Sequence, residues 1–382
     1  VRRLRIGVAT SGRFHVLDLA RELHGLGHEV RFYSYVPKKR AMSFGLPAET
    51  HVSLMPDVAP WVAWHLAAPR VAPLVLERQL WRALNRATIR RLAPCDVFVC
   101  MSGIFLEAAA EAKARYGARI NLHRGSQHIL AQDEILARIP GAARPSALAI
   151  ERELAGYELA DSINIASEHV ARSFERDPAA HAKLVLNPYG TDLDAFPMTP
   201  RPAVEADVTF VLAGLWCLQK GCDLLEAAVR RTPNVRVLHV GSIGDHPFPE
   251  GDGRFRHLDK VDQHALAGVY AQAHAFVLPS RQDGFGMVIP QALASGLPAI
   301  CSDHTGGPEL RYTPALDDRI VVVPTEDVDA LAAAMATVRD RLRAGPAFAE
   351  LTEADRETLT WAAYGRRYVE VLVDALDDGA AA

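Results

Sequence analysis

Apolar positions recur with a period of two at Leu4, Ile6 and Val8, and then the spacing lengthens. Leu19, Ala20, Leu23 and Leu26 fall at helical intervals, stopped by Gly25 and Gly27. The first pattern predicts a strand and the second a helix, joined by the loop Thr10–His15. Val30, Phe32 and Ser34 begin a second strand. Strand-like runs recur at Asp96–Cys100, Arg119–Leu122 and Ser162–Ile165, with helical segments between them. Strands alternating with helices predict a parallel sheet covered on both faces.

The stretch Asn187–Phe196 breaks this rhythm, and Pro197, Pro200 and Pro202 follow it, as in a linker. A second series then starts at Val208–Leu212. It continues through Val235–Val240, Ala275–Leu278, Ala299–Cys301 and Ile320–Val323. From about Ala354 to Leu376 the pattern is helical, and Trp361, Tyr364 and Tyr368 there suit packing back on the first domain. The expected α/β organisation is a first Rossmann-like domain over 1–190 and a linker over 191–205. A second Rossmann-like domain spans 206–353, and a returning helix spans 354–382. Ligands of such sheets bind at the carboxyl ends of the strands. The absence of a Gly-x-Gly-x-x-Gly after the first strand, and of a Walker sequence, argues against a dinucleotide dehydrogenase or a P-loop enzyme.

A length of 382 residues accommodates two full cores, and 23% charged with 49% hydrophobic residues is ordinary for a globular protein. Charge adds an asymmetry. Residues 1–190 hold 25 Lys and Arg against 18 Asp and Glu, whereas residues 191–382 hold 17 against 28. The two domains are therefore expected to meet different partners. The five cysteines never form Cys-x-x-Cys and are expected to be reduced. The apolar segment Leu54–Leu76 carries Asp57, His65, Arg70 and four prolines, so it is not a membrane span. With no apolar signal core before the first strand, a cytoplasmic protein is expected. Arg78, Arg82, Arg86 and Arg90 line one helix face near Trp61, Trp64 and Trp81. That surface suits peripheral contact with an anionic membrane face, or simply solvent. No nucleic acid partner is expected.

The candidate chemistry concentrates in Ser280–Pro298. A flexible Gly284-Phe285-Gly286 turn follows a buried strand and opens a helix from about Met287 to Ser295. Backbone N–H groups there approach a ligand closely, and the helix start carries partial positive charge, which suits a diphosphate. Asp283 and Gln291 flank the turn with groups for hydroxyls. The block resembles the nucleotide-sugar loop of the family 4 retaining glycosyltransferases: Glu, Gly, Phe, Gly, four further residues, then Glu. Asp283 and Gln291 stand at its two acid positions. Phe210–Leu225 resembles the same family's Gly-Arg-Leu stretch. Gly214 and Lys220 match it, while Leu215 stands where the family usually has arginine.

The resemblance implies two Rossmann-like domains facing across a cleft, the GT-B type, with the C-terminal helix crossing back. It implies sugar transfer from a nucleoside diphosphate donor to a hydroxyl acceptor with retention and with neither metal nor cofactor. Lys220 and the N–H groups of Gly284, Phe285 and Gly286 would stabilise the leaving diphosphate, Asp283 the sugar hydroxyls, and Gln291 the ribose. Arg281 or Arg13 would replace the missing cation, Glu309 would bond the nucleotide, and the loop holding Gly12 would approach the ligand. The family's histidine beside the transferred sugar corresponds to His123 or His128. Asp192 and Asp194 form an Asp-x-Asp, which is expected to cap a turn rather than bind a metal. Three other readings remain open: a nucleotide-sugar epimerase of the same architecture, a transferase for small-molecule acceptors, and a sugar-nucleotide-binding protein without turnover.

Overall fold

The computed structural model describes residues 2–67, 73–345 and 348–378. Seven parallel strands build the first sheet: β1 (Arg5–Thr10), β2 (Glu29–Ser34), β3 (His51–Ser53), β4 (Val97–Met101), β5 (Arg119–His123), β6 (Ser162–Ile165) and β7 (Leu184–Leu186). Their spatial order is β3-β2-β1-β4-β5-β6-β7. Six more build the second: β8 (Val208–Ala213), β9 (Val235–Val240), β10 (Phe255–Leu258), β11 (Ala275–Leu278), β12 (Ala299–Ser302) and β13 (Ile320–Val323). Those run in the order β10-β9-β8-β11-β12-β13.

Each sheet reverses its winding once, between β1 and β4 and between β8 and β11. Ligands bind at such switch points because loops leaving in opposite directions open a crevice there. Ile6 registers with both Val30 and Val97, and Phe210 registers with Ala275, so these strands lie in the middle of their sheets. All four residues of β11 are buried. Helices cover both faces of a parallel sheet, which is why its central strands are continuous apolar runs.

Every strand the alternation predicts is present, with ends shifted by a residue at most. The three it missed are β3, β7 and β10, and each is an edge strand of three or four residues. His51, Val52, Ser53, Leu184 and Val185 are only half-buried there. An edge strand needs no apolar run, and so it leaves little pattern.

The linker is tied down rather than free. Thr191 N donates to Leu359 O at 2.7 Å and Trp361 N donates to Thr191 O at 3.2 Å. The helix Trp361–Asp378 then returns to the first domain. Its Tyr364 and Tyr368 are enclosed, which takes their apolar rings out of water and anchors the helix. Arg367 fixes the crossing, donating to Asn187 Oδ1 (3.0 Å) and Pro188 O (2.9 Å). Two Rossmann-like domains across a cleft with a returning C-terminal helix are therefore present as expected. The segment Leu54–Leu76 is divided between helices Met55–Ala67 and Pro73–Arg91. Residues 68–72, Arg70 among them, lie outside the described residues, as do the tail 379–382 and Val1. Among the described residues no helix is long and apolar enough to cross a membrane.

Candidate active site

On the second-domain side, the carboxyl ends of β8 and β11 meet around a cavity of about 260 Å³. Gly214, Lys220, Asp283, Phe285 and Gly286 line it. Lys220 ends a short 3-10 turn, Leu218–Lys220, and its ammonium pairs with the Asp283 carboxylate. Both side chains are about four-fifths covered. A second cavity of about 340 Å³ adjoins the first through Ala213, Gly214 and Val288, and reaches Leu215, Gly241 and Lys260. The two together form a continuous recess along the ends of β8 and β9.

The glycine turn is shaped by its neighbours. Gly286 has φ +78°, a conformation that a side chain would strain. A Cβ on Gly284 would lie 1.9 Å from Gly125 O, so the turn sits hard against the first domain. Ser167 Oγ donates to Gly284 O at 2.8 Å, and Gln282 Nε2 donates to Ser126 Oγ at 2.6 Å. Gly306 N holds the turn from behind by donating to Phe285 O at 2.7 Å. The helix that follows spans only Val288–Ala294, shorter at both ends than its pattern predicted.

Facing this recess is a larger cavity of about 580 Å³, lined by both domains. Trp81, Ile104 and Met287 give it apolar walls, while His15, Ser126 and Gln291 give it polar points. Gln291, expected at the ribose, lines this cavity and not the recess, and its Oε1 is buried without a hydrogen-bond partner among the described residues. Tyr189 separates the two spaces and lines both. Its ring stacks on His15 (4.1 Å between centroids) and meets Phe285 edge-on (5.2 Å). An aromatic column thus crosses the cleft from the first domain to the glycine turn.

The other expected site residues fall elsewhere. Arg281 is held by Asp223 (2.6 and 2.7 Å), Glu326 (3.0 Å) and Leu218 O (2.6 Å), and does not line either recess. Arg13 lies over the Phe44 ring at 3.8 Å and lines the larger cavity, away from Lys220. Glu309 Oε1 accepts from Glu168 N at 2.7 Å, which makes it a contact between the domains, and its Oε2 is buried without a partner among the described residues. Gly12 sits in the turn before His15, where its N–H reaches Thr10 Oγ1 at 3.4 Å.

Neither predicted histidine lines the larger cavity. His128 caps the helix Ile129–Ala137, its Nδ1 accepting from Leu130 N at 3.3 Å, with its ring against Tyr157 and Phe174. Burial lowers its pKa to about 4. His123 is fully buried behind His15, and burial there holds it neutral. His15 is the histidine that lines the cavity, its pKa lowered by burial to about 3. Sequence patterns missed His15, Tyr189 and Lys260. His15 lies in a predicted loop at a strand's end, and that position was the available signal. Asp192 Oδ1 accepts from Asp194 N (3.0 Å) and Ala195 N (3.4 Å), a capped turn as expected.

Residues 206–340 match the family described as Glycosyl transferases group 1. O-antigen chain mannosyltransferase B of Escherichia coli is 38% identical over 82 residues, 22% of this chain and 20% of its own length. A D-inositol 3-phosphate glycosyltransferase of Saccharomonospora viridis is 28% identical over 235 residues, covering 54% of this chain and 52% of that protein. The chain thus spans between a fifth and about half of these curated relatives. Sucrose-phosphate synthase of Thermosynechococcus elongatus superposes over 99% of this chain and 100% of its own, with a TM-score of 0.68 at 18% identity. Anabaena HepE, solved in complex with UDP and glucose, superposes over 97% and 100% with a TM-score of 0.62 at 13% identity. The fold is GT-B, and the second domain carries the match to the glycosyl transferase family.

Proposed function

We propose that this chain, a GT-B protein whose second domain matches the group 1 glycosyl transferases, moves a sugar from a nucleoside diphosphate donor to a hydroxyl acceptor with retention of anomeric configuration. The observation that carries this reading is the Lys220–Asp283 pair beside Gly286, at the mouth of a recess continuous along β8 and β9. The nucleoside would occupy the part between Leu215 and Lys260, and the diphosphate would lie at Lys220 and the glycine turn. Lys220 then places positive charge where negative charge develops as the diphosphate leaves. Asp283, released from that pairing, would accept from sugar hydroxyls. Lys260, at the rim near Leu215, is a better-placed second cation than Arg281 or Arg13.

The C1–O bond to the diphosphate breaks and a C1–O bond to the acceptor forms on the same face. The acceptor's proton passes to the departing phosphate oxygen. The 580 Å³ cavity across Tyr189 offers room for an acceptor, which favours transfer over epimerisation, since an epimerase needs no second substrate space. The apolar Trp81 and Ile104 walls suit an acceptor with an apolar face, in glycoconjugate or cell-surface polysaccharide synthesis. Arg78, Arg82 and Arg86 are exposed on one helix near Trp64, a surface suited to peripheral contact with anionic lipid. Arg90 is paired instead with Asp57. Incubation with UDP-, GDP- and ADP-sugars and a mixed acceptor panel tests the reading. A new glycoside whose anomeric proton coupling matches the donor supports it. Conversion of donor without acceptor would replace it with epimerisation.

A further inference from the structure

The C-terminal helix is joined to the candidate site by a chain of five hydrogen-bonded side chains. His15 Nε2 lies 2.8 Å from His123 Nδ1, and His123 Nε2 lies 3.2 Å from the Tyr368 hydroxyl. Tyr368 Oη donates to Asn121 Oδ1 at 2.6 Å, and Asn121 Nδ2 donates to Ser162 Oγ at 2.8 Å. His123, Tyr368 and Asn121 are all buried.

The directions of these bonds follow from one end. Asn121 spends its amide N–H on Ser162, so its carbonyl oxygen faces Tyr368 and takes the phenolic proton. The Tyr368 oxygen is then an acceptor for His123, which must carry its proton on Nε2. His123 Nδ1 is left with a lone pair, so the bond to His15 forms only if His15 also carries its proton on Nε2. That leaves His15 Nδ1 as a lone pair, without a partner among the described residues, on the residue that lines the larger cavity.

We propose that His15 is a specificity-determining residue whose Nδ1 accepts a hydrogen bond from a ligand hydroxyl in this cavity, and that Tyr368 and Asn121 are positioning residues that fix its tautomer through His123. A hydroxyl is selected because the ring offers an acceptor and not a donor. A ligand presenting a carbonyl or ether oxygen there meets lone pair against lone pair. The C-terminal helix thereby takes part in the site through Tyr368, besides lining the cavity with Trp361 at its first residue. Burial holds both rings neutral, which keeps the relay in one state across the physiological range.

The role in sugar transfer rests on the function proposed above, but the tautomers do not. Nitrogen-15 spectra of the histidine-labelled full chain read each ring nitrogen directly, whether or not the chain transfers sugar. The expected result is Nε2–H with a bare Nδ1 for both His15 and His123. A proton on Nδ1 of either ring would overturn the proposal. Tyr368→Phe keeps the buried ring and removes only the acceptor. It is expected to mix the tautomers of His123 and, through it, of His15. If both populations stay as in the parent, Tyr368 is not a positioning residue. In turnover, Tyr368→Phe is expected to lower kcat about tenfold with little change in KM for the donor, the scale of one hydrogen bond. An unchanged kcat would overturn the relay's part in catalysis while the spectrum still reports its geometry.

Discussion

The two walls of the cleft are built by different means. On the second-domain wall the candidate groups come from two short turns that follow neighbouring strands. Asp283 through Gly286 form one turn, and Lys220 ends another turn at the neighbouring strand. On the first-domain wall they come from far apart: His15 follows β1, His123 ends β5, Tyr189 lies just after β7 and Tyr368 in the last helix. Under the function proposed above, the second-domain wall would hold a diphosphate with backbone N–H groups and one cation, which short motifs can supply. The first-domain wall would meet hydroxyls with neutral acceptors whose positions depend on the packing of four distant segments.

The sharpest way to break the contrast is to separate the walls. Gly284→Ala puts a methyl 1.9 Å from Gly125 O, a backbone atom that cannot turn aside. The closed cleft should be destabilised by about 3 kcal/mol, roughly a hundredfold in kcat/KM. Both domains should stay folded, and solution scattering should show the molecule opened. A compact Gly284→Ala variant with parental activity would mean that the walls need not meet.

The second prediction separates structural from functional histidine. His128 is buried with a pKa lowered to about 4, so the folded state binds fewer protons than the unfolded state between about pH 4 and 6.5. Its contribution is fully present above about pH 6.5 and is lost as the pH falls toward 4, by about 2–3 kcal/mol. Asparagine is also a good N-cap but does not titrate. Denaturant unfolding of His128→Asn should therefore show a shallower acid slope than the parent, with activity near pH 7 retained. His15→Ala should also flatten the slope, since burial lowers that pKa to about 3, but it should remove activity where His128→Asn keeps it.

Much of the second wall was legible before any coordinates. Its strands are central and buried on both faces, so they read as apolar runs, and the glycine turn follows one of them directly. The first wall was legible only as architecture. Nothing local distinguishes His15, in a predicted loop, from His128 beside a predicted strand end, because the difference lies in what packs around each: His15 lines the larger cavity and His128 is enclosed by Tyr157 and Phe174. The edge strands β3, β7 and β10 escaped for a related reason, since a strand paired on one side needs little apolar patterning. Arg281 was misleading because its neighbours in space, Asp223 and Glu326, lie 58 and 45 residues away in sequence.

Arg281 also supplies the smallest effect. Its guanidinium serves the fold, pairing with Asp223 and bonding Leu218 O in the turn that carries Lys220. Arg281→Ala should lower the melting temperature while changing nucleotide affinity less than about threefold, because no charge is removed from the recess. A loss of tenfold or more in calorimetric affinity would make it the compensating cation after all.

The central claim is that the recess beside Lys220 binds a nucleoside diphosphate, and thermal denaturation with UDP, GDP, ADP and CMP, each with its common sugars, tests it most directly. A specific ligand stabilises the folded chain in proportion to its occupancy. The account predicts a rise with one nucleotide class that Lys220→Ala diminishes, reflecting a loss in affinity of roughly ten- to a hundredfold for one charge-assisted hydrogen bond. No rise with any of them, or a rise that Lys220→Ala leaves intact, would contradict it.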